Sequence, residues 1–178
     1  LKKAALLYST TDGQTQKILT HIESELEGFK CDSFDLSKMD SIDLLAYDRV
    51  VVGASIRYGH LSKSLYQFIQ KHLVQLEQIN AAFFCVNLTA RKEDQGKDTP
   101  EGSAYIKTFL KKSPWQPKLI GVFAGALLYP RYNFLDKFMI RLIMSMTGGE
   151  TDTTKEVEYT NWGKVSLFTQ KVSEMDMK

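Results

Sequence analysis

The chain has 178 residues, 43% of them hydrophobic, which suits one α/β-sized domain with a buried core and a single site. Its 23 Lys+Arg against 21 Asp+Glu leave a formal charge of +2, too mild a bias to argue for nucleic acid as a partner. Cys31 and Cys85 show no Cys-x-x-Cys spacing and no accompanying histidine pattern, so they read as buried thiols in a reducing compartment, and no metal site is expected.

The two lysines before the short apolar run at residues 4–8 read as the start of a first strand, because the run is too short for a signal-peptide core. No segment approaches the roughly 18 to 20 apolar residues of a membrane span. Residues 3–8 give a buried strand and 14–27 a helix, with Ile18, Leu19, Ile22 and Leu26 at helical spacing. Residues 30–36 alternate as a second strand, and the β-branched run within 48–55 is a central one. A helix follows over 61–76, carrying Leu65, Phe68, Ile69, Leu73 and Leu76. Residues 81–87 and 119–125 supply two more strands, separated by a polar loop and a helix around 103–111. The last helix spans about 162–173. Five strands alternating with helices make a doubly wound parallel sheet, with its ligand outside the carboxyl ends of the strands.

About 35 residues separate the fifth strand from the last helix, where simple alternation needs a short connection. The expectation is one domain over residues 1–178 with an apolar helical insert at about 126–150. Within it Asn133, Lys137, Arg141 and Ser145 fall on one four-residue-spaced stripe, and most other residues are apolar. Such a helix is either an ordinary buried one or a surface that needs a groove, a partner or lipid; Arg131, Lys137 and Arg141 against Asp136 suit an anionic membrane face.

The loop Ser-Thr-Thr-Asp-Gly-Gln-Thr joins the first strand to a helix, where free N–H groups and the positive end of the dipole favour an anion. No Gly-Lys-Ser/Thr ends it and no Gly-x-Gly-x-x-Gly is present, so neither a P-loop nor a dinucleotide fingerprint applies. Thr10, Thr11 and Thr15 offer hydroxyls and Gly13 lets the backbone come close, which fits a monophosphate held without lysine. A capped turn without a ligand is the alternative.

This loop resembles that of the flavodoxin family, with Thr10, Thr11, Asp12, Gly13, Gln14 and Thr15 in the phosphate-loop frame. Asp12 departs from the pattern, and is expected to turn outward or cap the helix. The resemblance implies a sheet of order 2-1-3-4-5 with helices on both faces and noncovalent FMN. Gly53 and the stretch Ser55, Ile56, Arg57, Tyr58 and Gly59 resemble the family's flavin-flanking loop after its third strand. Arg57 stands where an aromatic residue is common, and its cation can stabilise an anionic reduced flavin. Tyr58 either stacks on the ring or packs locally, and His60 reads as a surface residue at a helix start. Asn87, Leu88, Thr89 and Ala90 would reach the flavin's other edge. Arg91, Lys92 and Lys97 beyond them are either a solvated face or a collar for substrate carboxylates.

Six blocks in order, "STTDGQT", "GASIRYGH", "VNLTARK", "AGALLYPRY", "DKFMIRLIM" and "GGETDTTKEVEYT", resemble the bacterial menaquinone-dependent protoporphyrinogen IX dehydrogenases, a flavodoxin-like family of haem biosynthesis. That resemblance covers essentially the whole chain and is most specific in the insert and in Gly149, Glu150, Thr151 and Asp152, which it adds to the cofactor-binding set. It implies removal of six hydrogens from protoporphyrinogen IX, with FMN passing electrons to menaquinone or another quinone. It also implies a peripheral position on the cytoplasmic side of the bacterial inner membrane. Arg57, Arg91, Lys92, Tyr129 and Arg131 are the expected substrate contacts. No general acid or base is assigned, because the cofactor carries the redox chemistry. A flavodoxin-type electron carrier is the rival reading; the net positive charge and apolar insert argue against it.

Overall fold

The computed structural model describes residues 1–175. Strands β1 (Lys2–Ser9), β2 (Phe29–Asp35), β3 (Arg49–Ser55), β4 (Ala81–Asn87) and β5 (Leu119–Ala124) form one parallel sheet in the order β2-β1-β3-β4-β5. Central β3 and β4 are apolar and buried nearly throughout because helices cover both faces, whereas edge strand β2 alternates polar residues toward solvent. Helices α1 (Gln14–Glu25) and α6 (Trp162–Ser173) place Ile18, Ile22, Val165 and Phe168 against one face. Helices α2 (Lys63–Lys71), α3 (Leu73–Gln78) and α4 (Ala104–Lys112) place Leu65, Ile69, Leu76 and Phe109 against the other. Each such fully buried side chain contributes about 1.5 to 3 kcal/mol.

The register aligns Tyr8 with Gly53, Ser55 with Val86 and Asn87 with Ala124. The loops after β1, β3, β4 and β5 therefore leave the same edge of the sheet. This flavodoxin-like topology is the one expected from the strand pattern and the family resemblance.

Two local expectations are corrected. The helix expected over 61–76 breaks into α2 and α3 at His72, whose Nδ1 meets Phe68 O at 3.0 Å while Nε2 accepts the Ile42 N–H at 3.3 Å. Those two bonds hold the ring against the preceding turn, and the backbone there leaves the helical range (φ −111°, ψ 17°). The insert contains a short antiparallel ladder, β6 (Ala126–Leu128) with β7 (Glu156–Glu158), that the sequence pattern does not announce.

Between β6 and β7 lies α5 (Phe134–Met146). Asn133 Oδ1 caps it by accepting the Asp136 N–H at 2.9 Å. Its end is a Schellman turn: Gly148 has φ +75° and the Gly149 N–H donates to Met144 O at 2.7 Å. A Cβ on Gly149 would lie 2.1 Å from Met144 Cε, so any larger residue there would have to displace the buried Met144 side chain. Helix α5 is not an ordinary buried helix. Only Asp136 and Met144 are buried, while Phe134, Leu135, Phe138 and Met146 are 83%, 71%, 59% and 78% exposed.

Candidate functional site

The loops after β1, β3 and β4 converge with α5 on one cavity. Of the residues expected at a cofactor, Thr10, Thr11, Asp12, Gln14, Thr15, Ser55, Ile56, Arg57, Tyr58, Gly59, Asn87, Leu88 and Thr89 line it. Gly13 and Ala90 shape its walls without lining it. The Gly13 N–H donates to Thr10 Oγ1 at 3.0 Å, and the Ala90 N–H donates to Asn87 Oδ1 at 2.9 Å, which also accepts from Thr89 Oγ1 at 2.7 Å. Gly13 takes φ +90° as the residue entering α1, and a Cβ there would meet nothing within 4 Å. Space therefore lies open beside the helix N-terminus.

Thr15 is fully buried at the second position of α1, and its Oγ1 is the one buried side-chain polar atom with no hydrogen-bond partner among the described residues. A buried hydroxyl without a partner costs free energy, so its presence beside the unpaired amides of a helix start points to an anionic acceptor. A phosphate fits that seat. Gln14 is committed elsewhere: its Nε2 donates to Thr160 Oγ1 at 3.0 Å and Glu158 Oε2 at 3.2 Å. Burial pushes the Glu158 carboxyl up, but the bonds from Lys17, Trp162 and Gln14 together hold it below its ordinary value.

Asp12 remains at the cavity instead of turning away. Burial raises its pKa; Arg57 and Arg131 oppose that rise and Asp136 adds to it. Arg57 and Tyr58 both reach Asp136 on α5, with Arg57 Nη2 donating to Oδ2 and the Tyr58 hydroxyl to Oδ1. The Tyr58 hydroxyl is thus engaged by α5, while its ring lines the cavity with the Arg57 guanidinium 5.3 Å from the ring centroid.

The structure does not bring Gly149, Glu150, Thr151 and Asp152 to the cavity lining. Gly149 closes the Schellman turn and the other three are engaged beyond it: Glu150 O accepts from the Tyr129 hydroxyl at 2.6 Å, Thr151 O accepts from Arg141 Nε of α5 at 3.2 Å, and Asp152 closes its own turn on Thr154. Among the expected substrate contacts, Arg57 and Arg91 line the cavity, whereas Lys92, Tyr129 and Arg131 do not. Tyr129 is fully buried, and Arg131 pairs with Glu156 at 3.0 Å. Arg91 donates to Leu88 O at 2.8 Å and to Thr147 O and Oγ1 at 3.2 and 3.0 Å, so it clamps the end of α5.

Sequence reasoning missed Tyr105, Tyr132, Ile140, Ile143, Met144 and Thr147, which with Val86, Gly125 and Ala126 from the strand ends complete the lining. The signal for the α5 residues was the four-residue spacing of the apolar Ile140 and Met144. It was obscured because the remaining faces of α5 are apolar too. Burial raises the Tyr105 and Tyr132 hydroxyls above their ordinary value, so both stay neutral donors at the wall.

A family model for the flavodoxin domain matches residues 5–154. The chain is 45% identical to the Escherichia coli (strain K12) protein named protoporphyrinogen IX dehydrogenase (quinone), over 99% of this chain and 97% of that one. It is 48% identical to a Leishmania major protein of the same name, over 93% of this chain and 72% of that one. The solution structure of two-electron reduced Megasphaera elsdenii flavodoxin is similar in fold, with a TM-score of 0.52 at 12% identity, covering 67% of this chain and 84% of that one.

Proposed function

The chain belongs to the protoporphyrinogen IX dehydrogenase family of flavodoxin-domain proteins, and from that premise we propose that it is an FMN-dependent oxidoreductase that oxidises protoporphyrinogen IX to protoporphyrin IX and passes the electrons to menaquinone or another membrane quinone. The observation that carries the reading is that a phosphate seat and an apolar insert helix share one cavity. The seat is marked by the unpartnered Thr15 Oγ1 and the open space at Gly13. The insert contributes Ile140, Ile143 and Met144 to the same walls.

FMN, when bound, supplies the two-electron redox chemistry. In this reading Thr15 and the first amides of α1 hold its phosphate, with Thr10 and Thr11 beside them, while residues 55–59 and 87–89 flank its ring. The apolar wall from α5 gives a hydrophobic tetrapyrrole surface to lie on and keeps water from the reacting edge. In this reading the protons are taken up by solvent, and Asp12 is the one carboxyl among the described residues that lines the cavity.

The exposed Phe134, Leu135, Phe138 and Met146, with Lys137 and Arg141 on the same helix, support a peripheral seat on an anionic membrane surface, on the cytoplasmic face of the bacterial inner membrane in this reading. A quinone dissolved in lipid is then within reach. No helix among the described residues is long and apolar enough to cross a membrane.

The test is anaerobic mixing of the FMN-loaded protein with protoporphyrinogen IX. Bleaching of the flavin band with formation of porphyrin, followed by reoxidation on adding a menaquinone in vesicles, is the expected result. A flavin that protoporphyrinogen leaves oxidised but a reduced partner flavoprotein bleaches would support an electron carrier instead.

A further inference from the structure

Asp136 occupies the third position of α5, where an acidic side chain ordinarily folds back on the start of its own helix. Asn133 already caps α5, and both Asp136 carboxylate oxygens leave the helix for the loop after β3. Arg57 takes one and Tyr58 the other. The carboxylate is largely buried, with 13% of its side chain exposed against 40% for Arg57. It does not line the cavity, whereas Arg57 and Tyr58 do.

The loop it grips is held in an unusual backbone conformation. Tyr58 is the one non-glycine residue among those described with positive φ, at 49°. Reciprocal backbone bonds between Arg57 and His60, at 2.9 and 3.0 Å, pinch the turn from below. A left-handed tyrosine persists only where its surroundings over-determine it, and the bond from its hydroxyl to α5 is one such determinant.

We propose that Asp136 is a positioning residue that fixes Arg57 and Tyr58 at the cavity and, by neutralising the Arg57 cation, lowers the redox potential of the flavin held there. The inference rests on the FMN reading above. A fixed cation beside a flavin stabilises the anionic reduced form and raises the potential. A carboxylate bonded to that cation cancels most of its field, and does so more effectively away from bulk water. Asp12 at the same wall feels Arg57 and Asp136 with opposite sign, so these groups share one field.

The experiment compares FMN-loaded wild type, Asp136→Asn, Asp136→Glu, Arg57→Leu and the Arg57→Leu/Asp136→Asn double variant by redox titration, and follows amide exchange of residues 56–60 in the FMN-free proteins. Asp136→Asn is expected to keep its FMN and to favour reduced over oxidised flavin by about tenfold, an upward shift of about 30 mV for a two-electron couple. The shift should largely vanish in the Arg57→Leu background and be reversed by Asp136→Glu. Amides of the turn should exchange several-fold faster in Asp136→Asn, and in a Tyr58→Phe variant added to the exchange series, than in wild type. A wild type that takes up no FMN sinks the functional reading and this one with it. A wild type that binds FMN while Asp136→Asn shows an unchanged potential, or the same shift with and without Arg57, overturns the inference alone. Unchanged amide exchange overturns the tether itself.

Discussion

Replacing Thr15 by valine separates the phosphate seat from ordinary helix packing, because it should move stability and cofactor affinity in opposite directions. Valine keeps the shape and nearly the same helix propensity as threonine, so the swap exchanges only the hydroxyl for a methyl group. In the FMN-free protein Oγ1 is buried without a partner among the described residues, and such a group costs about 1 to 3 kcal/mol. Thr15→Val should therefore stabilise the FMN-free chain. A gain of about 1 kcal/mol corresponds to roughly 2 to 4 °C in Tm for a chain of this size. The same hydroxyl donating to a charged phosphate is worth about 1.5 to 3 kcal/mol, so the Kd for FMN should rise by roughly 10- to 150-fold. Thr10→Val is the contrast, since Thr10 Oγ1 already accepts the Gly13 N–H at 3.0 Å and its removal should lower FMN-free stability. Thermal unfolding of the stripped protein and quenching of FMN fluorescence measure the two quantities. Loss of FMN-free stability in Thr15→Val, or an unchanged Kd, would refute the assignment of Thr15 to the phosphate.

Asp12→Asn should stabilise the FMN-free protein at neutral pH, because a carboxyl raised by burial is a liability wherever it must ionise. The liability is complete above its folded pKa and absent below its unfolded value of about 3.9, so the gain in urea midpoint should disappear as the pH falls through that window. Arg91→Ala should release the carbonyl of Thr147 and loosen the end of α5; faster amide exchange over 143–147 with FMN content unchanged is the expected result, and unaltered exchange would return Arg91 to the solvent. Serine at Phe134, Leu135, Phe138 and Met146 should leave the fold intact, since all four are exposed, while cutting co-sedimentation with anionic vesicles at least several-fold.

Four of the parallel strands were legible because each is a short β-branched or apolar run closed by polar residues, the composition of strands buried on both faces, while edge strand β2 was legible from its alternation. The loop at residues 9–15 stood out as a candidate anion seat for a different reason: it sets hydroxyls and one glycine between a strand and a helix start, and the fold leaves Thr15 Oγ1 there without a partner among the described residues. What the pattern could not show was destination. Arg91 and Lys92 are adjacent cations in one loop, yet the fold spends Arg91 on the carbonyls of Leu88 and Thr147. Gly149 looked like part of a binding motif, but the space it leaves is filled by Met144 of the same insert. The break at His72 depends on Ile42, thirty residues earlier in the chain, and no local periodicity encodes such a contact.

The same commitments constrain how an acidic tetrapyrrole could be recognised. Both arginines at the cavity already donate to acceptors inside the protein, Arg57 to Asp136 and Arg91 to backbone oxygens. A substrate carboxylate that drew either one away would leave a buried acceptor behind, and that loss would offset much of the new bond. Free cations lie farther out: Lys92, Lys97 and Lys137 make no ion pair among the described residues. In the proposed function, affinity for the ring system then comes mainly from the apolar wall of Ile140, Ile143 and Met144, with the propionates directed toward the outer lysines and the solvent. The arrangement suits a substrate and a quinone that both approach from a lipid surface, because the wall that grips the ring belongs to the helix whose far face is exposed and apolar.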